Sequence, residues 1–80
     1  MIKWGANIDF NNVTGNGIFI IGNLKSQTKN YPVDSGAACL YIHVDSGDVN
    51  KWDLLIGIDA PLMYGRYSYT GNWGTWVKLL

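Results

Sequence analysis

Eighty residues make one domain, too small to bury a deep core unaided, so a disulfide, a metal or self-association is expected to supply the difference. Cys39 is the only cysteine and His43 the only histidine, which excludes an intramolecular disulfide and a zinc-type ligand set and leaves oligomerisation. Six basic residues against six aspartates give no net charge and no basic face for nucleic acid, and a charged content of 15% against a usual value of about 25% points to a surface that meets partners.

Residues 1–5 lead directly into polar Asn7, Asp9, Asn11 and Asn12, without the apolar stretch of a secretory leader. Synthesis and assembly are therefore expected in the cytoplasm. The longest apolar runs, residues 18–21 and 37–42, have the length of strands and are too short for a membrane span, so no membrane insertion is expected.

Residues 1–16 end in a polar Asn- and Gly-containing loop and could be an arm, a first strand or a connection to a preceding shaft. A strand is expected from Gly17 to Leu24; residues 18–21 are apolar on both faces and are expected to be buried on both. Residues 25–35 are polar and contain Asn30-Tyr31-Pro32, which predicts an irregular loop with room for one short helical turn over residues 26–30. The clearest unit is a hairpin, with strands over residues 38–44 and 51–58 around a turn at 45–48. Leu40, Ile42 and Val44 share one face of the first strand, while Cys39, Tyr41 and His43 share the other.

Asp59-Ala60-Pro61 ends the hairpin. Residues 63–69 then form a strand with Tyr67 and Tyr69 on one face and Tyr64 and Arg66 on the other. Thr70-Gly71-Asn72 turns the chain into a last strand over residues 73–79. Glycine punctuation and short β-rich runs together predict an all-β antiparallel meander of four or five strands.

Chemistry is confined to few residues. The chain has no glutamate, a single histidine and no convincing pair of carboxylates, so catalysis is not expected and no cofactor is implied. Asp45-Ser46-Gly47-Asp48 resembles the start of a calcium loop but lacks the later ligands, so a plain turn is expected. His43 is expected to be a partly exposed strand residue and Cys39 a small buried hydrophobe. Trp73 and Trp76, three residues apart, would point to opposite faces of an extended strand, with Arg66 in reach of either ring. Packing is the first reading of these indoles and sugar stacking the second. For Arg66 a structural hydrogen-bonding role competes with capture of an acidic sugar or a lipopolysaccharide phosphate.

The order of these features (a strand from Gly17, a Pro-containing loop, Gly36 and a hairpin, then Arg66 and the ending Gly-Asn-Trp-Gly-Thr-Trp-Val-Lys-Leu) resembles the pyocin-knob domain of R-type pyocin fibres and phage tail fibres. The resemblance runs from Gly17 to Leu80 and centres on Arg66, Trp73 and Trp76. The family often carries a glutamine on the strand before the arginine; Lys51, Trp52 and Asp53 stand there instead. The resemblance implies residues 1–16 as an arm or fibre connection and 17–80 as a knob-like β domain. It further implies a homotrimer within a tail fibre of the virion, contacting other virion proteins and bacterial surface polysaccharide. Carbohydrate would then lie on Arg66, Tyr67, Tyr69, Trp73 and Trp76. The alternatives are a capsid decoration or head-fibre module, or an unrelated small cytoplasmic β-domain.

Overall fold

A computed structural model describes residues 2–27, 29–47 and 49–80; Met1, Thr28 and Asp48 lie outside them, so the segments 26–30 and 45–48 are seen only in part. The chain folds as one sheet of seven strands among the described residues: β1 (Ile2–Gly5), β2 (Gly17–Ile21), β3 (Cys39–Asp45), β4 (Lys51–Gly57), β5 (Met63–Tyr69), β6 (Asn72–Trp73) and β7 (Val77–Lys78). Strands β2 to β6 form an antiparallel meander in chain order, β1 joins β2 in parallel, and β7 returns to β5. The all-β class is as expected. The strand number exceeds four or five because the first segment enters the sheet and the last is split in two. The helical turn lies at Leu24–Ser26, where Gln27 N–H closes on the Leu24 carbonyl at 3.1 Å, slightly earlier than the expected 26–30.

Parallel pairing of β1 with β2 requires a crossover, and residues 6–16 make it across one face of the sheet. There they deliver Phe10 into a core formed with Ile21, Leu24, Ala37, Cys39, Tyr41 and Leu55. The connections above this face are tied to each other by hydrogen bonds. Ile8 N–H donates to Gln27 Oε1 at 3.0 Å, Gln27 Nε2 donates to the Asn23 carbonyl at 3.1 Å, and Phe10 N–H donates to the Lys29 carbonyl at 3.1 Å. Gln27 is buried, and both ends of its amide are satisfied, as burial of a polar group demands. One layer of irregular chain therefore covers one layer of sheet.

The other face stays open. Register places Ile2, Ile18, Ile42 and Leu54 in one row across β1 to β4, with Gly65 and Val77 completing it on β5 and β7. The neighbouring row is Trp4, Ile20, Leu40, Ile56 and Met63. Strand β2, expected to be buried on both faces, is covered by this chain only on the Phe19 and Ile21 side; Ile18 is 36% exposed. Among the described residues the connections lie over the Phe19 and Ile21 face, and on the second face Leu79 lies over Gly65.

Candidate functional site

Arg66 is the centre of the covered face at its β5 end. It pairs across the sheet with Asp53 on β4, and its Nε donates to Asp53 Oδ2 at 2.9 Å. Its remaining nitrogens donate to Asn11 Oδ1 and to the Phe10 carbonyl, both at 2.7 Å, so the crossover loop is fastened to the sheet through this one side chain. The guanidinium carbon lies 3.8 Å from the Trp73 ring centre and 4.5 Å from that of Trp76, a plane held between two indoles. A planar, weakly hydrated cation suits this position, and a compact ammonium would not.

Asp53 is fully buried and serves two further donors. Tyr41 hydroxyl donates to Oδ1 at 2.7 Å, and His43 Nδ1 lies 2.6 Å from the same oxygen. Since the tyrosine proton points to the carboxylate, the imidazole proton belongs on Nδ1, where it also meets the anion. Burial first, and the negative Asp53 second, push the Tyr41 hydroxyl far above its ordinary pKa. Burial likewise raises the Cys39 thiol. His43 is 1% exposed, which corrects the expectation of a partly exposed residue. It lies on the covered face beside Tyr41, and Asp53 supplies the polar partner that burial requires. An imidazole oriented by a carboxylate is half of a hydrolytic triad; here Nε2 is buried and has no partner among the described residues. The arrangement ties β3 to β4.

Trp73 and Trp76 do not point to opposite faces. Ser68 pairs with Trp73, and Gly65 pairs with Val77, so residues 74–76 span the two positions of Arg66 and Tyr67. That one extra residue is a β-bulge, and it returns Trp76 to the side of Trp73. Gly74 is the visible signal: its N–H donates to the Tyr67 carbonyl at 2.8 Å, and a Cβ there would stand 3.2 Å from that oxygen. Trp76 is fixed from outside as well, its Nε1 donating to the Asn30 carbonyl at 2.8 Å. Asn30 adopts a left-handed φ of 66°, a conformation asparagine tolerates. Its Nδ2 donates to Asp9 at 2.6 Å, and this bond leads the causes that lower the Asp9 pKa.

The five residues expected to hold carbohydrate therefore separate. Arg66, Trp73 and Trp76 form the cation sandwich on the covered side. Tyr67 and Tyr69 project from the open face, 52% and 66% exposed. Tyr67 stacks there on Trp52 at 5.4 Å and an interplanar angle of 28°. Leu79 lies over Gly65, and beside these rings the open face holds a groove of ≈ 570 Å³, whose walls include Trp52, Tyr67, Tyr69, Asn72 and Leu79. Sequence reasoning did not single out Asp53 or Trp52. Asp53 had a signal, a lone carboxylate inside the apolar run 52–56 with Arg66 and His43 elsewhere to neutralise it. Trp52 had none beyond its alternation with Asp53. No family model matches the chain, and neither a curated protein nor a solved structure matches it.

Proposed function

We propose that this chain is a non-enzymatic assembly and attachment module of a phage tail fibre, acting as a homotrimer. The observation that carries the reading is the open aliphatic face. Ile2 and Ile18 are 59% and 36% exposed there, beside Ile20, Leu40, Ile42, Leu54 and Ile56. A continuous apolar face on a charge-poor domain marks an interaction surface. Full burial of one Leu or Ile is worth about 1.5–3 kcal/mol, and association costs roughly 4–15 kcal/mol. Partial burial of this many side chains is enough to offset that cost. The three-fold state and the fibre setting rest on the resemblance around Arg66, Trp73 and Trp76. The absence of catalysis rests on the closed Tyr41–His43–Asp53–Arg66 network, whose polar groups face inward.

Sedimentation equilibrium of the purified chain tests the reading. A mass three times the 8.9 kDa of one chain is expected. A monomer at micromolar concentrations would remove it.

A further inference from the structure

The open face is not uniform along its strands. Apart from Trp4 on β1, it is aliphatic towards the β1 end and the middle, whereas the row at the β3–β4 and β5–β6 turns is Val44, Trp52 and Tyr67, with Tyr69 beyond. These aromatics edge the groove over Gly65. Trp52 and Tyr67 are 58% and 52% exposed despite stacking on each other, so each keeps ring surface for a ligand. Polar groups stand at the rim. The Asn72 amide, the Thr75 hydroxyl and the phenols of Tyr67 and Tyr69 have no side-chain hydrogen bond among the described residues.

Charge selects among possible occupants. Arg66 is the only charged residue lining the groove among the described residues, and its cation is spent. One nitrogen meets Asp53, another Asn11 and a third the Phe10 carbonyl, while indoles cover its plane. An anionic ligand would find no available cation here, and burying its charge unpaired is costly. Aromatic surface with free hydroxyl and amide groups at its edge instead fits a ring with apolar C–H faces and an equatorial belt of hydroxyls.

We propose that the Trp52–Tyr67 shelf and the groove beside it bind a neutral saccharide, with pyranose faces on the rings and hydroxyls on Asn72, Thr75 and Tyr69. This rests on the attachment reading above and names its ligand class. It also leaves Trp76 outside the site and gives Arg66 no ligand contact through its charge.

The test is titration of the isotopically labelled chain with neutral glucose, galactose and mannose hexasaccharides, and with hexagalacturonic acid. The four indole N–H signals are followed by NMR, and light scattering records the mass of each sample. The Trp52 indole is expected to shift with at least one neutral hexasaccharide, while Trp76 stays in place and the acidic oligomer has no effect. Trp52→Ala and Tyr67→Ala should each weaken that binding at least ten-fold without changing the mass. No shift with any neutral hexasaccharide, equal response to the acidic one, or unchanged affinity in Trp52→Ala would overturn the inference. A monomeric mass with a retained Trp52 shift would instead remove the trimer and leave the site standing.

Discussion

Replacing Arg66 with lysine keeps the charge and discards everything else the position uses. One ammonium cannot reach Asp53, Asn11 and the Phe10 carbonyl together, nor fill a flat slot between two indoles. Leaving Asp53 buried without its partner costs about 3–5 kcal/mol. Arg66→Lys and Arg66→Ala are therefore both expected to lower the urea midpoint strongly; a lysine variant within 1 kcal/mol or so of wild type would mean the fork is dispensable. Tyr41 gives a pH signature. Its hydroxyl stays protonated in the fold beyond the pH, near 10, at which an unfolded tyrosine ionises. Its contribution is thus complete below that pH and is lost as the pH rises above it. In Tyr41→Phe the alkaline decline of stability should be shallower by up to about 1.4 kcal/mol per pH unit, read as urea midpoints between pH 8 and 11. Identical slopes in the two proteins would argue against the Asp53–Tyr41 bond. At this scale the sequence was legible for Arg66, whose approach to either indole follows from the adjacent strand. It was not legible for His43, because alternation places it on a face without saying which face the connections will cover.

Elements were read well where one physical rule governs them. The β3–β4 hairpin and β5 follow from period-two alternation between turn signals, and nothing competes with it there. Alternation failed at the C-terminal edge strand, since a bulge adds a residue that the period does not count. The same bulge explains why an i, i+3 pair can grip one cation. Deleting Thr75 would leave Trp73 and Trp76 two positions apart on a regular strand, again on one face. That variant is expected to keep the wild-type tryptophan emission and near-ultraviolet dichroism, and to shift the urea midpoint less than either Arg66 variant. A red-shifted emission would show that the indoles had left the guanidinium. Strand β1 was open to three readings because parallel pairing depends on a distant crossover, and Phe10, which anchors that crossover, looks in sequence like any loop aromatic.

At the level of the molecule, composition already asked for a partner, but it could not say which surface. The aliphatic residues of β2 to β4 look like a core in sequence, yet the chain's own core forms on the more polar side, around Tyr41 and Asp53. Ile42→Lys and Leu54→Lys lie at the centre of the open face. In a single chain these positions are half-buried, and a lysine there can carry its ammonium out to solvent, so each change should cost only about 1 kcal/mol. In the proposed trimer they should abolish association and leave a folded monomer with an unchanged indole spectrum for Trp76. Retention of the oligomer in both variants would place the interface elsewhere. The open face has a further consequence for how stability is measured. If copies bind only the folded chain, mass action adds their association energy to the folding equilibrium. The melting temperature should then climb with protein concentration, and dilution alone should weaken the fold. What a single chain leaves uncovered thus makes its thermal stability a property of the population.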